Sequence, residues 1–411
     1  MNRKKGNGDF PTLSDNRKSD RIMLITFIVL AANQRGNFIG VGSLIPLIRV
    51  DLGISNTVAG MITTLPLLIF IFISPQAAGI GKRFGLGRTL LVAFYLILIA
   101  LPLRSSFGIV GLFAGTALLS VGLGLGNVLL FSFIKLRFSN KVGVVTGIYS
   151  TAMAATSAIA IGISVPIATT LGLGWQFALG MWVIIAVLSI ILWHERLRHD
   201  AVFKIETKNN TVDKSYEKIV YKIPLAWRFA FCNGMQVLLF YAVTAWLPSI
   251  MQSKGYSLEQ AAFFSFYYQV ISLPTTLVVP MLCARRDSQR SILLIFGTLL
   301  FTGTLLYPFV NSFFFVLLAI TLAAVGQGAA FAITNTFVSL RVDNAQQSAA
   351  LSGMIQTMGF IIASLAPTVM GLMYDMTNSW TMPYILLIVV SALWLILGLP
   401  LAKNRNFFEG Y

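Results

Sequence analysis

The residues most able to do chemistry lie in one apolar segment near the start of the chain. This segment covers residues 22–48 and carries the run NQRGN at positions 33–37. At about 1.5 Å per residue, a helix of that length can cross a bilayer. Arg35 would then lie deep in the membrane, where a charge costs about 2.5–3.5 kcal/mol and arginine cannot release its proton. We therefore expect Arg35 to meet water, a partner group or a ligand.

A search for an acidic partner of Arg35 sharpens this expectation. All fourteen aspartate and glutamate residues fall in predicted tails, loops or span ends, away from the middle of the membrane. Without a carboxylate partner, Arg35 is best explained as the ligand of an anionic or strongly polarised solute, held by bidentate hydrogen bonds. The alternative is a structural arginine that donates to backbone carbonyls.

The neighbours of Arg35 offer further hydrogen-bonding groups. At about 100° per residue, Asn33 and Asn37 stack on one helix face, while Arg35 points well away from both. Either one subset of these residues faces the solute, or Gly36 lets the helix unwind locally. Asn33, Gln34 and Asn37 are predicted substrate ligands, although the asparagines could equally well bond to neighbouring helices.

Other polar residues within apolar segments extend the candidate site. Each could line a cavity or could hold two helices together. The predicted substrate-binding residues are Asn127, Tyr149, Gln236, Tyr241, Gln327, Asn335 and Gln356. No nucleophile, base or metal-ligand set occurs in the apolar segments, so the sequence predicts neither an enzyme nor a cofactor or metal site.

The composition indicates an all-α integral membrane protein. The chain is 56% hydrophobic and 11% charged, with a mean hydropathy of +0.80. Apolar runs recur throughout and predict twelve transmembrane helices. These cover residues 22–48, 57–80, 88–104, 107–136, 142–171, 175–195, 225–252, 258–283, 290–309, 312–340, 346–374 and 380–402. Tryptophans near span ends, such as Trp193 and Trp246, are interpreted as interfacial anchors.

The distribution of charge predicts the topology. The net charge is +16, and nearly all lysines and arginines fall in the tails and in alternate loops, which places both termini in the cytoplasm. We predict tails at 1–21 and 403–411, six-helix bundles at 22–195 and 225–402, and a cytoplasmic linker at 196–224. Because the basic residues lie between membrane spans, no nucleic-acid partner is predicted.

The two predicted bundles repeat each other weakly. A shift of 202 residues lays Gln34 on Gln236 and Arg83 on Arg285, which favours a parallel duplication about an axis along the membrane normal. Basic clusters occupy matching turns of the two halves. They are topology determinants for which we predict a further gating or bracing role on the cytoplasmic face: Lys82, Arg83, Arg88, Arg285, Arg286 and Arg290.

These features resemble the major facilitator superfamily and, over most of the chain, the cyanate and nitroimidazole transporter family. The resembling stretches are Ala32-Asn33-Gln34-Arg35 with Pro46, Leu65-Pro66, Arg83-Phe84-Gly85 with Arg88, Gly124-Leu125-Gly126-Asn127, Ile134-Lys135 and Thr146-Gly147-Ile148-Tyr149-Ser150. The resemblance implies a bacterial inner-membrane carrier that works by rocker-switch alternating access, with Arg35 near the solute. Gly36 replaces the family's usual proline, and Lys82 replaces the superfamily's aspartate, so the usual charge relay of that turn does not carry over.

We therefore predict a secondary active or facilitative transporter of a small anionic or polarised solute. The alternatives are an exporter of amphipathic drugs and, from another class, a membrane solute sensor. The predicted partners are a small molecule and the lipid bilayer, and the predicted oligomeric state is a monomer.

Overall fold

The computed structural model describes residues 17–138, 142–199, 218–286, 288–342, 345–402 and 406–408. Within these residues the chain is helical. The helices are α1 (Arg17–Ile39), α2 (Val41–Leu52), α3 (Asn56–Phe84), α4 (Leu86–Ser106), α5 (Gly108–Arg137), α6 (Val142–Ala168), α7 (Gly174–Gly180), α8 (Val183–His199), α9 (Pro224–Ser253), α10 (Leu258–Ala284), α11 (Arg290–Leu306), α12 (Phe313–Leu340), α13 (Ala345–Thr377) and α14 (Thr381–Leu401).

Eleven segments of the described chain are long and apolar enough to cross a membrane. Two of these spans are broken: α1 and α2 form the first with a break at Gly40, and α7 and α8 form the sixth. The predicted span 22–48 corresponds to the first of these, which begins at Ile22 and continues to Leu52. The predicted span 290–309 corresponds to α11, a shorter apolar helix.

The helices bury two large cores. One is built mainly from α1 and α3–α8, and the other mainly from α9–α14. Most of the predicted linker and most of each predicted tail lie outside the described residues, so the domain division at 196–224 stays a prediction.

Trp193 and Trp246 are packing residues, which corrects their interpretation as interfacial anchors. Trp193 is fully buried and its Nε1 donates to the carbonyl of Gly87 at 2.9 Å. Trp246 is also fully buried and donates to the carbonyl of Pro367 at 2.8 Å. An indole N–H that finds an internal acceptor is stable away from the interface, and its ring then fills the core.

The two halves meet closely at one end of the bundle, which we call the closed side: the end where α3 begins at Asn56 and α13 ends at Thr377. The Oγ1 of Thr64 donates to the carbonyl of Ser364 at 2.8 Å. A Cβ added to Gly60 would lie 2.4 Å from the carbonyl oxygen of Pro367, so glycine permits this approach of α3 to α13.

The opposite end, which we call the open side, contains exposed polar and small residues. A Cβ added to Gly147 or Gly353 would meet nothing within 4 Å. Ser150 on α6 and Gln356 on α13 are exposed one turn or less from these glycines. Because polar side chains inside a span favour a cavity over lipid, we interpret this exposure as an opening bordered by α6 and α13.

Candidate functional site

Arg35 lies within α1 and is half-buried. Among the described residues it makes no hydrogen bond or ion pair. Its charge lies within electrostatic range of Tyr149 on α6, which is fully buried and whose hydroxyl has no hydrogen-bond partner within the described protein. The structure thus brings two of the predicted ligands within electrostatic range of each other.

The asparagines of α1 stack as predicted. The Nδ2 of Asn37 donates to the carbonyl of Asn33 at 2.7 Å, one helical turn earlier, and both residues are 1% exposed. The helix continues through Gly36 to Ile39, so local unwinding at Gly36 does not occur. Both amide atoms of Asn33 lack a partner among the described residues. Such unpaired buried amides are costly unless they bind something, which makes this helix face a candidate binding surface.

Gly36 serves close packing. A Cβ built on it would lie 2.2–2.6 Å from three ring atoms of Trp182, in the turn between α7 and α8. The indole therefore lies directly on the backbone of α1 beside Arg35.

We expect Gly36→Ala to weaken both stability and transport, since the rigid indole must move and overpacking costs about 1–3 kcal/mol. Thermal unfolding of the purified protein measures the first effect and uptake measures the second. Gly79→Ala is the matched control, because a Cβ at Gly79 meets nothing within 4 Å. Equal losses in both variants would contradict the packing role of Gly36.

Gln34 connects α1 to α5. A Cβ added to Gly126 would lie 1.8 Å from the Nε2 of Gln34, so the amide rests directly on the backbone of α5. Both amide atoms of this 1%-exposed side chain lack a partner within the described protein. Asn127 follows Gly126 and is half-buried. The two predicted ligands therefore lie close together.

The second half contributes its own pair of amides. The Nε2 of Gln327 on α12 donates to the backbone carbonyl of Gln236 on α9 at 3.0 Å. Both side chains are 2% exposed, and the Oε1 atom of each has no partner among the described residues. The Oε1 atoms of Gln236 on α9 and Gln327 on α12 are thus buried acceptors that could each bind a hydrogen-bond donor.

Aromatic rings from both halves pack together between Arg35 and the closed side. The ring centroid of Phe38 lies 5.9 Å from that of Tyr241 and 5.9 Å from that of Phe70. Phe70 lies 5.6 Å from Phe360 of α13. We call these four residues the aromatic layer. Because Phe38 follows Arg35 by one helical turn, the layer separates the guanidinium from the closed side.

The remaining predicted ligands are Asn335 on α12 and Gln356 on α13. Asn335 and Gln356 are exposed, and the Nδ2 of Asn335 donates to the carbonyl of Phe331 in its own helix at 2.8 Å. No contact in the described structure joins either residue to Arg35. Their role as ligands stays a prediction.

The predicted cytoplasmic braces are all exposed: Lys82, Arg83, Arg88, Arg285, Arg286 and Arg290. Arg83 lies 5.2 Å from the ring of Phe84, and the Nη1 of Arg286 donates to Ser291 at 3.2 Å. These contacts are local, and the bracing role stays a prediction.

Two buried arginines were missed by the sequence analysis. Arg104 ends the predicted span 88–104 and drew no attention there, yet it is 1% exposed in the last turn of α4 and donates from Nη1 to the carbonyl of Asn37 at 2.7 Å. The last carbonyls of a helix lack intrahelical partners and favour a positive charge. Arg104 therefore supports the end of α1 where the first span breaks.

Arg341 is the second of these arginines. It donates to the backbone of Leu401 and to the side chain of Gln289, and its guanidinium lies 4.1 Å from the ring of Phe337. Burial lowers its pKa to about 10, so it stays positive at neutral pH. It joins α12, α14 and the turn before α11.

A family model described as Major Facilitator Superfamily matches residues 23–311 and 282–407. The chain belongs to the major facilitator superfamily. The crystal structure of a D-xylose–proton symporter shares the fold, with a TM-score of 0.73, 15% identity, and coverage of 96% of this chain and 99% of that chain.

Individual relatives extend this assignment. An uncharacterised transporter of Bacillus subtilis (strain 168), YycB, is 36% identical over 96% of this chain and 97% of its own length. A 2-nitroimidazole transporter of Escherichia coli (strain K12) is 34% identical over 94% and 97%. The cyanate transport protein CynX of the same organism is 24% identical over 88% and 92%. The predicted resemblance is confirmed, and this superfamily member is a solute transporter and a multi-pass protein of the bacterial inner membrane.

Proposed function

We propose that the protein moves a small anionic or polarised solute by rocker-switch alternating access, as a secondary active or facilitative transporter, with Arg35 as the principal solute ligand. The observation that carries this proposal is the half-buried guanidinium of Arg35, which has no acidic or hydrogen-bond partner in the described structure. A charge at this depth is stable only with a compensating group, and an anionic solute would supply one.

The surrounding groups fit such a solute. The Tyr149 hydroxyl, which has no partner in the described structure, lies within electrostatic range of Arg35, and the unpaired amides of Asn33 and Gln34 offer further donors on the other faces of α1. The unpaired acceptors of Gln236 and Gln327 suit a polar hydrogen on the opposite side of the solute. Relatives that carry 2-nitroimidazole and cyanate support a solute with a delocalised, polarised group.

The orientation completes the proposal. We place both termini in the cytoplasm, because the positive charge lies on that side, and we take α11 as a twelfth span. The closed side then faces the periplasm and the open side faces the cytoplasm. In this inward-facing state, the aromatic layer separates the solute from the periplasm, and reopening on that side requires its rings to part.

The test is uptake into proteoliposomes of a panel of labelled anions, neutral nitro-aromatics and cationic amphipathic compounds. We expect saturable uptake and counterflow for members of the first two groups. Counterflow restricted to cationic amphipathic compounds would overturn the proposal and favour drug export. Binding of a solute without any translocation would favour a sensor.

A further inference from the structure

Asp375 links the two halves on the closed side. Asp375, near the end of α13, accepts four hydrogen bonds from the start of α3. Its Oδ1 accepts from the backbone N–H of Asn56 at 3.1 Å and from the Asn56 side chain at 2.7 Å. Its Oδ2 accepts from the backbone N–H of Thr57 at 2.7 Å and from the Thr57 hydroxyl at 2.6 Å.

The chemistry of this contact favours the ionised carboxylate. All four partners are donors, and two of them are backbone N–H groups of the first helical turn, which have no acceptor within α3. The positive end of the α3 dipole adds a further attraction. Ser55 accepts from the next free N–H, that of Val58, at 3.3 Å, so Asp375 acts from the other half as part of the cap of α3.

The position of the contact ties it to the motion of the halves. Next to it, a Cβ on Gly371 would lie 2.4 Å from the carbonyl oxygen of Asn56, so α13 and α3 touch backbone to backbone. Opening of the closed side would separate these helices and break all four bonds together. The carboxylate and the uncapped end of α3 would then each need new partners.

We propose that Asp375 is the latch of the periplasmic gate: a positioning residue that stabilises the inward-facing state by capping α3 across the interface between the halves. The proposal rests on the alternating access proposed above. Asp375, which is remote from Arg35, would then control the rate and extent of opening to the periplasm.

The test measures the closed side directly, with spin labels on Leu171→Cys and Phe309→Cys in a background where Cys232 and Cys283 are replaced by alanine. Leu171 is 65% exposed in the first half, and Phe309 is 75% exposed in the second. Pulsed dipolar spectroscopy on the reconstituted protein gives the ratio of long to short label distances. Asp51→Asn is the matched control, because Asp51 is an acidic residue bonded within one half, to the Nε1 of Trp175 at 2.8 Å.

We expect Asp375→Asn to raise the long-to-short ratio by about tenfold or more. The charge-assisted bonds exist only in the closed form, so removing the charge destabilises that form alone. Asp51→Asn should leave the ratio at its wild-type value. Thr57→Val removes one donor from the opposite half and should shift the ratio in the same direction by less. It also keeps the proposal testable should Asp375→Asn fold poorly.

An unchanged ratio in both Asp375→Asn and Thr57→Val would overturn the latch, as would an equal shift in Asp51→Asn. The measurement requires no solute, which separates it from the function proposed for Arg35. If the distance ratio shifts in Asp375→Asn but the wild-type protein transports no solute of the proposed panel, the latch is supported and only the solute assignment is refuted.

Discussion

Arg35→Gln should lower the Vmax/KM of uptake by about 30-fold or more, because losing one partner of a desolvated charge pair costs about 2–5 kcal/mol and each 1.4 kcal/mol is tenfold. Glutamine keeps a shorter polar side chain but removes the charge and the planar fork of donors. Arg35→Lys should recover part of the activity with a raised KM, since a lysine keeps the charge without bidentate geometry. Initial rates in proteoliposomes at matched reconstitution measure both effects.

Arg228→Gln is the matched control for this loss of charge. Arg228 is exposed near the start of α9, and its replacement removes an arginine without touching the candidate site. Its uptake should equal that of the wild type. Undiminished uptake by Arg35→Gln would make Arg35 a structural residue and remove the anion from the proposed function.

The helical spans could be predicted from sequence because apolar runs of bilayer length are a strong signal. Their interruptions could not. The first span breaks at Gly40, whereas local unwinding had been offered as an alternative only at Gly36, which is covered by Trp182. A single sequence does not distinguish the roles of these two glycines, because those roles depend on how α7 and α8 pack against α1.

The candidate site was predicted in part for a similar reason. Arg35 and its neighbours stood out because charge and amides are rare in an apolar run. Arg104 lies near a span end, where arginines are common, so nothing in the sequence distinguished its burial against Asn37. Asp375 was likewise assigned to a span end, and its four bonds to α3 depend on a contact more than 300 residues apart along the chain. Contacts of this separation follow from the packing of the halves rather than from local pattern.

Gly60→Val should abolish most transport while leaving each half folded. A Cβ at Gly60 would lie 2.4 Å from the carbonyl oxygen and 2.8 Å from the carbonyl carbon of Pro367, and both atoms belong to the backbone of α13. Backbone atoms in a packed helix cannot move aside as a flexible side chain can, and overpacking costs about 1–3 kcal/mol or more. That cost falls only on the state in which α3 and α13 touch. We therefore expect uptake to fall by about tenfold to hundredfold, because a transporter held open to one side cannot complete its cycle.

The change in label distance on the periplasmic side distinguishes a blocked approach of α3 to α13 from a general loss of stability. Because each half has a core of its own, the variant should still purify as a folded protein, and labels at Leu171 and Phe309 should report long distances on the periplasmic side. Gly79→Val places the same residue in the same helix, where an added Cβ meets nothing within 4 Å. It should transport at close to the wild-type rate. Comparable losses of uptake in both valine variants would show that the effect comes from valine in α3 itself. Loss of uptake confined to Gly60→Val, together with a longer label distance on the closed side, would place the essential approach of the two halves at Gly60 and Pro367.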